Sequence, residues 1–181
     1  DSAGMIRAIH EVGLDATMVG GGMIGLQFAA LKQQLGPLRN NVVCYDLYTP
    51  EPTMNFPGDV EFLKKYQERA EKAGVDPLGL YIPPFAYAEM QILEAAVNGV
   101  KSLDDKKLAD YIRANSFSTV VGDIKFGDRG EWAKPRILLI QYRGIVGNDV
   151  EQFKQPGKQV IIDPPQFKSG DLVVPFESVK R

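Results

Sequence analysis

One cysteine, one histidine and one tryptophan among 181 residues leave little material for metal or redox chemistry. With Cys44 alone there is neither an internal disulfide nor a C-x-x-C pair. Flanked by Val42, Val43 and Tyr45, Cys44 reads as a small buried hydrophobe on a strand, not as a nucleophile. His10 follows the helical pattern of the first residues beside Glu11; with no second histidine to share a ligand role, it reads as a surface helix residue. Charge of one sign is also lacking. Lys and Arg number 21 against 23 Asp and Glu, evenly mixed, for a net charge of −2. Without a basic stripe to displace counterions from phosphate, nucleic acid is excluded as an expected partner, and the same balance argues against a membrane surface. No apolar run approaches the roughly twenty residues needed to cross a bilayer, and no charged-then-apolar leader is present. The sequence opens at Asp1 and runs directly into a helical pattern, which predicts a piece of a longer protein.

No catalytic constellation is present either. Asp104 and Asp105 sit at a helix start, where acids favour the helix dipole, and Glu51 lies in a connector. The Ser116-Phe117-Ser118 triplet has no G-x-S-x-G context. There is no internal repeat and no low-complexity tract. What is present is a chain 44% hydrophobic and 24% charged, sufficient for one good core or two small ones.

Its organising stretch is residues 16–46, which parse as strand, glycine loop, helix, strand. Thr17, Met18 and Val19 are apolar or β-branched; Gly20, Gly21 and Gly22 follow; Leu26, Phe28, Ala29, Leu31 and Leu35 then recur at helical spacing. Gly20, Gly22 and Gly25 spell G-x-G-x-x-G, and Asp46 follows at the distance a dinucleotide fingerprint expects. A Rossmann domain, however, continues in βα alternation, whereas this chain continues with the proline-rich residues 47–57 and then three helical patterns. The glycines therefore read as a place where the backbone approaches a packed element or a small ligand closely. An NAD(P)-binding oxidoreductase domain through residues 20–25 stays open as an alternative.

Ser2 is placed to cap a first helix that Gly13 ends. Residues 59–73 give an amphipathic helix and residues 85–100 a second, with Ala88, Ile92, Ala95 and Ala96 permitting close packing. Ser102 and Asp105 resemble a capping box for a third. From Phe117 the pattern turns to β, with a hairpin or sharp strand reversal expected at Gly127-Asp128-Arg129-Gly130, a strong strand over residues 136–143 and a short one over 159–162.

The order of these segments, with Y-I-P-P-F-A-Y-A at residues 81–88, F-S-T-V-V-G-D-I-K-F-G-D-R-G at 117–130 and I-L-L-I-Q-Y-R-G at 137–144, resembles the C-terminal half of the periplasmic solute-binding receptors of the branched-chain amino-acid ABC transporter family. The resemblance covers essentially the whole chain and implies an α/β fold of the type I periplasmic-binding-protein kind. That fold has two Rossmann-like lobes and a ligand cleft, only partly represented here. It implies that residues 1–48 belong to the second lobe, 49–135 to the first, and 136–181 return to the second. It further implies no enzyme and no cofactor, a periplasmic location, and as partners a small-molecule ligand (carboxylate or amino acid), an ABC permease and a missing N-terminal half. A regulatory ligand sensor of the same fold is the other alternative.

In amino-acid-binding members a glutamate after the V-G-L strand pairs with the ligand ammonium; Gly22 aligns there, followed by Met23. A buried ammonium needs a paired carboxylate, so the departure implies an aromatic or aliphatic carboxylate ligand. Gly21, Gly22, Met23, Tyr48, Tyr81 and Phe85 are the ligand-binding residues the resemblance implies, with Tyr81 and Phe85 equally readable as lobe-core residues and Asp46 the nearest acid that could replace the missing one.

Overall fold

The computed structural model describes residues 1–177. Helix α1 (Ser2–Glu11) buries Ile6 and His10, and the chain then passes through Gly13 at φ +61°. Ser2 is the first helical residue and Asp1 holds the cap position without a side-chain cap bond, so the expected serine cap does not form. His10 is likewise no surface residue. Its Nε2 lies 2.7 Å from the Leu38 carbonyl oxygen and its ring packs 5.6 Å from Phe176, because the face of α1 that carries Ile6 also carries His10.

Strand β1 (Val19–Gly21) contains two of the three consecutive glycines instead of ending before them. A Cβ at Gly20 would stand 2.6 Å from the Val43 carbonyl oxygen, so the glycine admits the neighbouring strand and not a ligand. The helix expected behind the glycines is broken in two: a 3-10 turn at Ile24–Gln27, then α2 (Ala29–Leu35). The break is Phe28, which is extended (φ −74°, ψ 137°) and turned outward. After a second 3-10 turn at Gly36–Arg39, β2 (Val42–Asp46) returns parallel to β1 with Val19 opposite Val42 and Gly21 opposite Cys44.

The proline connector leads to α3 (Asp59–Ala73), ended by Gly74 at φ +65°, and then to α4 (Pro83–Val100) and α5 (Asp105–Ala114). Asp104, not Ser102, caps α5, its side chain accepting from the Lys107 amide at 3.0 Å while Ser102 Oγ accepts from the Asp104 amide. Strands β3 (Ser116–Thr119) and β4 (Gly122–Lys125) form a hairpin that reverses at Val120 and Val121, earlier than the glycine tetrapeptide; the latter closes a separate turn under the Phe126–Trp132 bridge. Both turn valines of this first reversal are buried, and the expected reversal at Gly127–Gly130 forms as well, with the Gly127 amide donating to the Glu131 carbonyl and the Ala133 amide to the Lys125 carbonyl, each at 2.8 Å.

The chain then crosses back to β5 (Leu138–Tyr142) and β6 (Gln159–Asp163). The sheet order is β1-β2-β5-β6, with β5 antiparallel to both neighbours. Two cores result. The larger gathers Ile6, Leu26, Leu35, Cys44, Ile140, Tyr142 and Phe153 around this sheet; the smaller gathers Ala88, Ile92, Phe117, Val121 and Ile124 around α4 and the hairpin. Phe85 packs against both. No helix among the described residues is long and apolar enough to cross a membrane.

Candidate functional site

Between α3, the start of α4 and Phe28 runs an aromatic groove of about 550 Å³, lined by Phe28, Phe62, Tyr66, Tyr81, Tyr87 and the Ile82–Pro83 step, with Asp76 as its acid. Its floor is set by local chemistry. Asp76, in the loop after α3, accepts from the Ala29 amide at 2.9 Å through Oδ2 and from the Leu78 amide at 2.8 Å through Oδ1. A loop belonging to the helical layer is thereby pinned to the first amide of α2. That bond brings Tyr81 against Phe28, ring centroids 5.3 Å apart and edge-on. On β2, burial, and after it the neighbouring Tyr81, raise the phenol pKa of Tyr45. A Cβ at Gly22 would make ordinary contact with the Tyr45 ring at 3.6 Å.

The six residues implied by resemblance are thus only partly brought together. Tyr81 lines the groove, whereas Gly22 stands beside the Tyr45 ring, outside the groove's lining. Gly21 lies beside them in open space at φ +154°. Met23 packs on the larger core, where its carbonyl accepts from the Cys44 thiol at 3.4 Å. Tyr48 is buried, its hydroxyl donating to Asp59 Oδ2 at 3.1 Å, and burial followed by that acid raises its pKa. Phe85 is wedged between the cores. Phe28, Phe62, Tyr66 and Tyr87 line the groove and are not among the residues the resemblance implies. Phe28 looked like a core position of a continuous helix, and nothing in its spacing marks the break that exposes it.

Asp46 is not a substitute acid facing a ligand. It is 2% exposed, accepts from the Leu47 amide at 2.8 Å and from Gln159 Nε2 at 3.3 Å, and burial raises its pKa to about 6. It shares the interior with Lys32, lowered to about 8 by burial against the pull of Asp46, and with Arg39, stacked 3.9 Å over the Tyr142 ring. The dinucleotide reading loses its geometry as well. Gly20 faces a strand, the helix after the loop has seven residues, and its first amide is taken by Asp76. No cluster of His, Cys, Asp and Glu that could hold a metal occurs among the described residues.

A sheet of this order, with helices returning between β2 and β5, is the fold of the type I periplasmic binding proteins over part of its length. Among solved structures the chain is similar to a leucine-binding protein from Thermotoga maritima (19% identity, TM-score 0.61, covering 79% of this chain and 39% of that one). It is similar also to an ABC transporter substrate-binding protein from Sphaerobacter thermophilus (17%, 0.63, 93% and 43%). A third is the closed leucine-, isoleucine-, valine-, threonine- and alanine-binding protein from Brucella ovis (16%, 0.51, 89% and 45%). At these identities the likeness is one of fold, and the chain spans less than half the length of each of them. No family model and no curated protein matches the sequence.

Proposed function

We propose that this chain is part of an extracytoplasmic solute-binding receptor of an ABC importer, non-enzymatic, which holds a small organic acid against the Phe28–Tyr81 surface and delivers it to a permease. In this reading residues 1–48 and 136–177 belong to one lobe and residues 49–135 to the other, residues 178–181 lie outside the described residues, and a further part of the receptor completes the cleft. The observation that carries it is the groove itself, an aromatic wall between α3, the start of α4 and Phe28 whose one acid is engaged with backbone amides. Gly22 supplies no anion beside Tyr45, and Asp76 spends both oxygens on backbone amides. Beside Gly22 and Tyr45 a ligand ammonium would find no carboxylate, and a buried charge left unpaired costs about 3–5 kcal/mol, more than a hundredfold in affinity at about 1.4 kcal/mol per decade. Aromatic or short aliphatic acids that lay only their apolar body against these rings, with the carboxylate turned to the part of the cleft outside this chain, are favoured in this reading over leucine, isoleucine and valine.

The test is a thermal-shift and calorimetric screen of the full-length gene product. Benzoate or cinnamate should raise Tm while leucine does not, and Gly22→Glu should weaken the acid by adding a second anion. Strong stabilisation by leucine with none by the aromatic acids would overturn the ligand class and point to Asp76 as the ammonium partner.

A further inference from the structure

Glu51 stands between Pro50 and Pro52 in the connector that leaves β2, and the two rings restrict its backbone from both sides. A residue before proline is driven out of the helical region, and Glu51 is extended at φ −78° and ψ 140°, just ahead of the 3-10 turn at Pro52–Met54. The residue is 6% exposed, and its Oε1 accepts from the Gly157 amide at 2.6 Å. Its Oε2 accepts from no described residue, yet it is not sealed in. That oxygen therefore opens on the cavity of about 700 Å³ that Glu51 lines between the connector and α3. A carboxylate oxygen held at the edge of the interior without a donor is costly, and a ligand that brings a donor recovers that cost.

The other charges around the cavity are already matched. Asp59 accepts at Oδ2 from the Tyr48 hydroxyl and the Phe56 amide, each at 3.1 Å, and at Oδ1 from the Val60 amide at 2.6 Å. Lys154 pairs with Glu151 at 2.7 Å. Lys64 and Glu68, both exposed, lie one turn apart on α3, where their charges offset each other. Arg143 feels the Glu51 charge but gives its Nε and Nη2 to the Gln141 side chain, and Nη2 also to the Asp171 carbonyl. What remains is one carboxylate oxygen without a cation. The wall beside it is apolar, with Tyr48, Met54 and Leu80 buried and Leu63 half-buried. An apolar wall with one placed polar group is the make-up of a small-molecule site.

We infer that this cavity binds a small primary ammonium with an apolar body, the ammonium donating to Glu51 Oε2 and the body lying against Tyr48, Met54, Leu63 and Leu80. A carboxylate of the same shape meets repulsion from Glu51 and Asp59, and a neutral alcohol forgoes the charge-assisted bond. The site is separate from the Phe28–Tyr81 groove, because α3 turns Leu63 and Gln67 to this cavity and Phe62 and Tyr66 to that groove. It does not rest on the receptor reading, since it uses none of the residues that line the aromatic groove. An occupant also touches distant segments at once, for the same Glu51 side chain holds the Gly157 amide ahead of β6.

The experiment titrates the full-length protein calorimetrically with 3-methylbutylammonium at pH 7 and constant ionic strength, with 3-methylbutanol and 4-methylpentanoate as the neutral and anionic isosteres. Saturable binding is expected for the amine, at least tenfold tighter than for either isostere. Glu51→Gln keeps an oxygen for the Gly157 amide and removes the charge, and should weaken the amine at least tenfold. Val60→Trp places a bulky ring at an exposed residue of the lining, and should block the amine without touching Glu51. Tyr81→Ala, in the other groove, should leave amine binding unchanged. Urea midpoints of the variants separate loss of binding from loss of fold; if Glu51→Gln unfolds earlier than the parent, Val60→Trp decides. No saturable binding in the parent, equal binding of either isostere, undiminished binding in a folded Glu51→Gln or in Val60→Trp, or loss in Tyr81→Ala would each overturn the inference.

Discussion

Single residues decide how close two elements can come, and the three consecutive glycines show it with different consequences at each. Gly20→Ala would drive a methyl group to within 2.6 Å of the Val43 carbonyl, whereas Gly22→Ala places one at an ordinary 3.6 Å from Tyr45. The first substitution should cost about 1–3 kcal/mol by forcing β1 away from β2; the second should stay within about 0.5 kcal/mol. Urea midpoints of the two variants check this, and equal values would show that the β1–β2 spacing is not set at Gly20. Asp46 and Lys32 carry a second prediction. Asp46 has a folded pKa of about 6 against an ordinary 3.8, so the folded state holds that proton more tightly. Its contribution to stability is full below about pH 4 and is lost as pH rises through about 6. For Lys32 the folded pKa of about 8 lies below 10.5, so its contribution is present above that value and is lost as pH falls through 8. The pair therefore opposes stability most between about pH 6 and 8. Asp46→Asn should remove the fall between pH 4 and 6, worth about 3 kcal/mol for a shift of this size, in urea midpoints measured across that range; an unchanged slope would place the titrating group elsewhere.

At the scale of elements, the groove depends on one loop-to-helix attachment. Asp76 holds the Ala29 amide and the Leu78 amide at once, and thereby holds Tyr81 against Phe28. Replacing it with alanine should cost about 1 kcal/mol as the loss of a helix-start acceptor. It should also increase hydrogen exchange at Ala29 and Leu78 while leaving the β2–β5 ladder protected. Exchange that rises uniformly instead would mean the attachment is not local. Gln141 plays the equivalent part on the other side of the sheet. Its side chain accepts from the Val173 amide at 2.9 Å and donates to the Val173 carbonyl at 2.8 Å, so the tail is fastened to β5 by one amide group, and Phe176 is set into the core.

For the molecule as a whole, the apolar surface is uneven. Tyr87, Met90 and Leu93, three residues apart along α4, are all 41% exposed or more, and Ile82 at the start of the same helix is also exposed. A stripe of that kind on an otherwise mixed-charge surface favours association. Sedimentation velocity should show an apparent mass that rises with concentration, and Met90→Lys with Leu93→Lys should suppress the rise without lowering the unfolding midpoint. A compact monomer across the whole concentration range would exclude the stripe as an association surface.

What the sequence determined by itself was the kind and order of the elements. Periodicity placed α3 at residues 59–73, marked the body of α4 and located β2, β5 and β6, because an amphipathic stripe or an apolar run is a property of neighbouring residues. It also placed Cys44 inside. The type I fold followed from the order of elements and the resemblance together. The tertiary structure decided everything that depends on residues far apart in the chain. His10 is interior because Leu38 and Phe176 arrive beside it; Phe28 is on the surface because Asp76 caps the helix after it. Asp46, Lys32 and Arg39 are interior, and no local pattern distinguishes them from charges in water. Arg136 follows the same rule, since the rings around it, Phe56, Trp132 and Phe167, come from three separate segments of the chain. Burial and pairing are sums over contacts that folding creates, and a local sequence window contains none of them.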